Sequence, residues 1–151
     1  MPEAQWPLLS SAFVARPAVQ IVVAGLAIHE VGSGIAADPI VALAPCRIDG
    51  VASYDLSGVS VSGAGDINGD GIDDVIIGAF RADPNGTYSG SSYVVFGSNT
   101  GFDPTLALSG LNGSNGFRID GEALADESGS SVRPAGDTNG DGFADVVIGS
   151  L

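Results

Sequence analysis

Two stretches of the chain have nearly the same sequence: Asp66-Ile67-Asn68-Gly69-Asp70-Gly71-Ile72-Asp73-Asp74 and Asp137-Thr138-Asn139-Gly140-Asp141-Gly142-Phe143-Ala144-Asp145. Each places oxygen-bearing side chains at loop positions 1, 3, 5 and 9, with glycine at positions 4 and 6. Glycine permits the positive φ angles and the close backbone approach that a tightly curled loop requires. Alternate residues of such a loop can all point towards one cation. The loops 66–74 and 137–145 therefore carry the main functional signal.

The oxygen donors predict calcium as the cation. Calcium takes roughly six to eight oxygen ligands in a flexible geometry, whereas magnesium keeps its waters and requires a strict octahedron. The predicted ligands of the first site are the side chains of Asp66, Asn68, Asp70 and Asp74 and the backbone carbonyl of Ile72. Those of the second site are the side chains of Asp137, Asn139, Asp141 and Asp145 and the backbone carbonyl of Phe143.

The alternative is that Asn-Gly and Asp-Gly are only turn dipeptides between strands. Two copies with the same donor positions argue against a plain turn. So does the mutual repulsion of the clustered carboxylates in the absence of a cation.

The residues that follow each loop exclude the common helical calcium motifs. An EF-hand needs a bidentate Glu at position 12 and flanking helices, but position 12 is Ile77 in the first loop and Ile148 in the second. A dockerin loop also leads into a helix. The runs Val75–Ile77 and Val146–Ile148 are continuous and apolar, which predicts strands buried on both faces. Each loop is therefore expected to join two strands.

The similarity extends well beyond the loops. Residues 47–80 align with residues 118–151 without a gap, at a constant offset of 71, and 21 of the 34 paired positions are identical. Arg-Ile-Asp-Gly opens both copies. The pattern indicates a structural repeat, with one full unit and half of the next.

These repeated segments resemble a known family. Gly58–Asp66, the loop that follows and Val75–Ala79 are similar to the FG-GAP repeat of integrin α-subunit β-propellers and their bacterial relatives, and Ser92–Gly97 resembles an outer strand of that repeat. The chain departs from the family pattern in the turn after the strand: Phe80 stands where proline is usual, and Ser150-Leu151 replaces Ala-Pro. These departures do not involve the predicted metal ligands.

The resemblance implies an all-β fold of four-stranded antiparallel propeller blades, with calcium bound between the first two strands of a blade. We predict a blade at 46–117 with loop 66–74, and the first half of the next blade at 118–151 with loop 137–145. The family leads us to expect seven blades, which at this repeat length need roughly 500 residues. A chain of 151 residues would then be part of a larger propeller, and the unpaired edge would promote association with another chain.

Composition narrows the range of partners. The net charge is −13, and seven of the 18 acidic residues lie in the two loops. Only five residues are Lys or Arg, and they form no cluster, which argues against nucleic acid and anionic lipid as partners. The single cysteine, Cys46, excludes an intrachain disulfide and is expected to be a small buried apolar side chain.

Residues 1–45 form a poorly defined segment. Val19–Ile28 is an apolar run too short to span a bilayer, so no membrane span is predicted. The start lacks the positive region of a secretory signal, although Arg16 precedes the apolar run and a poor signal sequence is an alternative. We favour the interpretation that residues 21–25 are a degenerate outer strand of a preceding blade, because they lie about one repeat before residues 93–97.

The resemblance implies an extracellular or cell-surface, integrin-α-like binding module in which calcium is structural. Its partners would be a protein or carbohydrate ligand, in cell adhesion, and further blades of the parent chain. The alternative is a scaffold module of a larger secreted protein with an enzymatic domain elsewhere. No catalytic residue is predicted: His29 is the only histidine, and the sequence has no phosphate loop, zinc-ligand spacing or nucleophile elbow.

Overall fold

The computed structural model describes residues 20–23 and 46–151. The predicted all-β class is confirmed, and the described residues contain no α-helix, only a one-turn 3₁₀ helix at Leu108–Gly110. The strands are β1 Gln20–Val23, β2 Cys46–Asp49, β3 Ser60–Gly65, β4 Asp74–Ala79, β5 Ser91–Val95, β6 Thr105–Ala107, β7 Gly116–Asp120, β8 Ser131–Gly136 and β9 Asp145–Gly149.

The centre of the fold is a four-stranded antiparallel sheet in the order β3-β4-β5-β7. This sheet is the four-stranded blade that the resemblance predicted. Its first connection is the loop 66–74, between β3 and β4, and the equivalent loop 137–145 joins β8 to β9. Each predicted calcium loop therefore joins two antiparallel strands, as the β-branched run after it indicated.

The strands β8 and β9 repeat β3 and β4 in structure as well as in sequence. Ser60 pairs with Gly78 in the first copy, and Ser131 pairs with Gly149 in the second, so both partners are shifted by the same repeat length. Both pairs of strands also carry a bulge just before the loop. We call β8 and β9 the inner half-blade, because they correspond to the first two strands of the full blade.

The strands β1 and β2 correspond to the last two strands of a blade. Gln20 pairs with Asp49, and Ser91, in β5, pairs with Asp120, in β7. Both members of the second pair lie one repeat length after those of the first, so β1–β2 has the register of β5–β7. We call β1 and β2 the outer half-blade. The predicted strand at residues 21–25 coincides with β1 over residues 21–23, and its other residues lie outside the described ones.

The blade boundaries differ from the repeat boundaries of the sequence. The predicted unit 46–117 begins with β2, which pairs with β1 and β6, and it ends inside β7, which pairs with β5. The hydrogen-bonded sheet runs instead from Ser60 to Asp120. The repeated tetrapeptide Arg-Ile-Asp-Gly marks the last strand of one blade, so sequence unit and sheet are out of phase by one strand.

Both faces of the central sheet are buried, because side chains alternate between them along each strand. Ile77 and Tyr93 face one cluster, which includes Cys46 and Ile48 of the outer half-blade. Ile76 and Val94 face the other cluster, with Val132 of the inner half-blade. The full blade is thus packed between two half-blades. The burial of Ile76, Ile77 and Cys46 confirms the predictions made from the first apolar run and the single cysteine. The prediction of burial on both faces is wrong for the second run, where Val147 is 55% exposed.

Close contact between successive blades depends on glycine. A Cβ atom at Gly78 would overlap the carbonyl oxygen of Gly129, at the start of the inner half-blade. Beside this contact the backbone N–H of Val132 donates to Oγ of Ser60, at 2.9 Å. The edge of β8 is therefore held directly against β3 and β4.

The connection between β5 and β7 adds a strand to the neighbouring half-blade. Within it, β6 pairs in parallel with β2, with Arg47 opposite Thr105 and Asp49 opposite Ala107. Leu106 and Leu108 pack against the cluster around Tyr93. This parallel pair was not predicted, and it links the full blade to the outer half-blade through the backbone.

No helix in the described part of the chain is long and apolar enough to cross a membrane.

Replacing Gly78 with alanine tests the blade contact. We expect Gly78→Ala to lower the free energy of unfolding by about 1–3 kcal/mol, because the added methyl group overpacks the contact with Gly129. The matched control is Gly63→Ala in β3, where an added Cβ meets nothing within 4 Å. Urea unfolding followed by circular dichroism measures both variants. Equal stability of the two variants would show that the glycine contact is unimportant.

Candidate calcium loops

The first loop is held in its curl by its own side chains. Oδ1 of Asp66 accepts the backbone N–H groups of Gly69, at 2.7 Å, and of Asp70, at 3.0 Å. Its Oδ2 accepts the N–H of Gly71, at 2.9 Å. One carboxylate at position 1 therefore binds three successive amides, and the chain turns around it. The positive φ of Gly69 and Gly71, 78° and 85°, lets the amides converge.

Positions 3 and 5 continue the same pattern. Oδ1 of Asn68 accepts the N–H of Asp70, and Oδ1 of Asp70 accepts the N–H of Ile72, each at 2.9 Å. The side-chain amide of Asn68 donates to Oδ2 of Asp70, at 2.9 Å. Asp66, Asn68 and Asp70 are thus brought together along one turn of the loop, as their spacing predicted.

The second loop reproduces the five bonds in which a side-chain oxygen accepts a backbone N–H. The carboxylate of Asp137 accepts the N–H groups of Gly140, Asp141 and Gly142 at 2.7, 3.1 and 3.0 Å. Asn139 accepts from Asp141 at 2.8 Å, and Asp141 accepts from Phe143 at 2.9 Å. Five acceptor contacts recur although the residues at positions 2, 7 and 8 differ. The acceptor side chains at positions 1, 3 and 5, rather than those three residues, therefore determine the loop conformation.

The position 9 carboxylate of the first loop is buried. Asp74 is 1% exposed, and its two oxygens accept the N–H groups of Ile67, at 2.9 Å, and Gly97, at 2.8 Å. It joins the start of the loop to the end of β5. Burial raises the pKa of Asp74; the bonds from Gly97 and Ile67 oppose the rise, and the charges of Asp70 and Asp66 add to it. The loop thus places two further negative charges near a carboxylate that is poorly solvated.

The equivalent carboxylate of the second loop has a different environment. Asp145 accepts the N–H of Thr138, at 2.7 Å, and also the hydroxyl of Thr138. These hydrogen bonds lower the pKa of Asp145. Position 2 is Ile67 in the first loop and so cannot supply this hydroxyl. Two equivalent aspartates are therefore perturbed in opposite directions, because only Asp74 is covered by the end of a neighbouring strand.

The donor chemistry of the loops fits a hard cation. Each loop offers three carboxylates, one amide oxygen and a backbone carbonyl, which are all oxygen ligands of the kind calcium takes. Oδ2 of Asp66 and Oδ1 of Asp70 each accept one N–H and keep a second lone pair for a metal, whereas Oδ1 of Asp66 accepts two. Among the described residues, however, no three His, Cys, Asp or Glu side chains are already grouped so that they could hold a metal ion. The carboxylates are turned towards the loop amides.

The two loops touch each other. The backbone N–H of Ala144 donates to the carbonyl oxygen of Asp66, at 2.9 Å. The ring of Phe143 lies where a side chain on Gly69 would be, and Ala144 Cβ lies 2.8 Å from the position of a Cβ on Gly65. Phe143 was predicted only as a backbone ligand, and its side chain proves to be an interblade contact. Spacing within one loop could not reveal this, because the contact lies between repeats.

A cavity of about 460 Å³ adjoins the first loop. It lies between Asp70 and the connection that carries β6, and its lining includes Phe96, Phe102, Asp103 and Asn115. Phe102 is 43% exposed. The cavity combines aromatic surface with oxygen and amide groups, next to the predicted metal loop.

Comparison of two equivalent substitutions tests the anchoring role of Asp74. We expect Asp74→Ala to lower the free energy of unfolding by roughly 1–3 kcal/mol, because the amides of Ile67 and Gly97 lose their acceptor in a partly buried place. Asp145→Ala is the matched control and should cost less, since Asp145 is solvated. Urea unfolding in the presence of a chelator removes any contribution of bound metal. Equal losses for the two variants would contradict the anchoring role.

Comparison with known protein families supports the resemblance seen in the sequence. Residues 57–95 match the family model described as FG-GAP repeat. The matched segment contains β3, the first loop, β4 and β5, which are three of the four strands of the central sheet. The predicted resemblance is therefore confirmed for this segment: residues 57–95 carry an FG-GAP repeat.

Proposed function

We propose that each loop binds one calcium ion and that calcium stabilises the contact between successive blades. The observation that supports this most strongly is the shared acceptor pattern of loops 66–74 and 137–145, which keeps oxygen ligands at positions 1, 3, 5 and 9 in both. The ligands are Asp66, Asn68, Asp70, Asp74 and the carbonyl of Ile72 in the first site, and Asp137, Asn139, Asp141, Asp145 and the carbonyl of Phe143 in the second.

Calcium would offset the charge that the fold concentrates in each loop. The buried Asp74 lies near Asp66 and Asp70, whose charges raise its pKa. A divalent cation bound among them would favour the charged form of all three carboxylates. Two bound ions, each with a charge of +2, would change the net charge from −13 to −9.

The position of the loops supports a structural role for the proposed calcium ions. Asp66 and Ala144 are joined by a backbone hydrogen bond between the two loops, so an ion that fixes either loop also fixes the junction. Millimolar calcium outside the cell fills sites with dissociation constants of about 10⁻⁴ to 10⁻³ M. We propose an extracellular or cell-surface module that binds a protein or carbohydrate ligand in adhesion. The cavity beside the first loop is the candidate ligand surface.

Calcium titration of the full chain tests the metal sites. We expect isothermal titration calorimetry to show two calcium sites. We also expect the unfolding temperature to rise as calcium is added. At a calcium concentration ten times the dissociation constant, each site adds about 1.4 kcal/mol of stability. Magnesium at the same concentration should give a smaller rise, because the loops supply flexible oxygen ligands rather than a strict octahedron.

Two single substitutions distinguish a proposed calcium ligand from a nearby acidic residue that is not a ligand. Asp70→Asn keeps an acceptor for the N–H of Ile72 but removes a charged ligand, so one calcium site should be lost. Asp73→Asn removes the same charge at an exposed residue outside the ligand positions, and should leave both sites in place. Equal effects of the two variants on calcium binding would rule out the proposed sites. So would an unfolding temperature of the unsubstituted protein that is the same in calcium and in chelator.

A further inference from the structure

A second cavity, of about 420 Å³, lies beside the junction of the full blade and the outer half-blade. It shares no lining residue with the cavity beside the first loop. Three apolar and three polar side chains line it: Val51, Leu108, Leu111, Tyr93, Arg118 and Asp120. Small-molecule sites have volumes of roughly 300–1,000 Å³ and combine apolar walls with a few polar groups. The cavity has both properties.

The polar wall of this cavity contains an ion pair on β7. Nε of Arg118 lies 2.8 Å from Oδ1 of Asp120. The hydroxyl of Ser91, on the neighbouring strand β5, donates to the same oxygen at 2.9 Å. Oδ2 of Asp120 and the two terminal nitrogens of Arg118 have no hydrogen-bond partner in the described part of the chain. The pair therefore offers a hydrogen-bond acceptor and several donors side by side.

Tyr93 adds a phenol to the same wall. Its side chain is 2% exposed and belongs to the core cluster that includes Leu108, so packing fixes the position of the ring. Burial raises the pKa of Tyr93, and the positive charge of Arg118 opposes the rise. The phenol is therefore neutral at physiological pH, and a neutral phenol can both donate and accept a hydrogen bond.

The ion pair recurs in the repeat, but the two hydroxyl groups beside it do not. One repeat earlier, Arg47 and Asp49 pair through Nη2 and Oδ2, at 2.7 Å. The residues equivalent to the tyrosine and the serine are Val22 and Gln20. The outer half-blade therefore has the same strand register without either hydroxyl. Pairing of these strands does not require the hydroxyl groups that line or adjoin the cavity of the full blade.

We propose that this cavity binds one neutral sugar ring through two neighbouring hydroxyl groups. A sugar presents O–H groups on adjacent carbon atoms, and each of them can donate and accept a hydrogen bond. One hydroxyl donates to Oδ2 of Asp120, and its neighbour accepts a terminal N–H of Arg118. The phenol of Tyr93 binds a further ring oxygen or hydroxyl. The C–H groups of the sugar pack on Leu108 and Leu111, so both the polar and the apolar lining are used.

The charges of the site favour a neutral ligand over an ion. Arg118 and Asp120 cancel each other, and the chain as a whole carries a net charge of −13, which disfavours the approach of an anion. A cation would lie beside the guanidinium of Arg118. A wholly apolar ligand would cover the acceptor and the donors without giving them partners, which is costly. The site does not include the proposed calcium ligands and does not depend on bound calcium.

Amide chemical shifts of the full chain test the site and the class of ligand. The probes are the methyl glycosides of glucose, galactose and mannose, each added alone up to millimolar concentration in calcium buffer. We expect at least one glycoside to shift the amide signals of Leu111, Arg118 and Asp120 in a saturable manner, and to leave those of the loop 66–74 in place. Hexanoate and hexylamine are the charged probes. No shift at the cavity with any glycoside, or a larger shift with either charged probe, would overturn the proposal.

Two equivalent substitutions separate sugar binding from the ion pair of the repeat. Arg118→Gln removes the charged donors, so the dissociation constant of the bound glycoside should rise about tenfold or more. Arg47→Gln is the matched control, because Arg47 is the equivalent residue and does not line the cavity. Tyr93→Phe keeps the packed ring and removes only the hydroxyl, and it should also weaken binding. Circular dichroism checks that each variant is folded. Equal affinity of the Arg118→Gln and Arg47→Gln proteins for the glycoside would contradict the site.

Discussion

The close contact between one blade and the next is the constraint on which the remaining structure depends. It requires glycine at Gly78, where a side chain would overlap the backbone of Gly129, and it is held by hydrogen bonds from Val132 to Ser60 and from Ala144 to Asp66. The two bonds lie at different points of the junction, the first between strands and the second between loops. A blade that shifts against its neighbour therefore also displaces the loops 66–74 and 137–145.

This arrangement gives the acidic loops a double role. Within a loop, a carboxylate at position 1 binds three amides and sets the curl. Between loops, the residues at positions 7 and 8 of one blade contact the backbone of the loop before it. The acceptor oxygens that hold the curl are also the proposed metal ligands, so the proposal implies that calcium affinity and blade packing are coupled. The loop of this FG-GAP repeat thus contains the proposed calcium ligands and also residues that contact the neighbouring blade.

Much of this could be predicted from local sequence. The gapless offset between the two copies, the apolar runs after each loop and the spacing of Asp66, Asn68 and Asp70 correctly indicated strands and loops. The four-stranded blade was implied by the resemblance to the FG-GAP repeat. The features that sequence reasoning missed are all long-range. The short strand β6 pairs with β2, a distant part of the chain, through Arg47 and Thr105, and no periodic pattern marks a strand of that length. The raised pKa of Asp74 depends on its burial by the surrounding fold, which the spacing within the loop does not show.

Hydrogen exchange at single amides, with and without calcium, tests the coupling of loops and blades most directly. If calcium stabilises the junction, the amides of Ala144 and Val132 should exchange more slowly in calcium. The amide of Gly121, which donates to Gly90 within the outer part of the full blade, should change less. Unchanged exchange at Ala144 and Val132 in saturating calcium would contradict a structural role for the ion between blades.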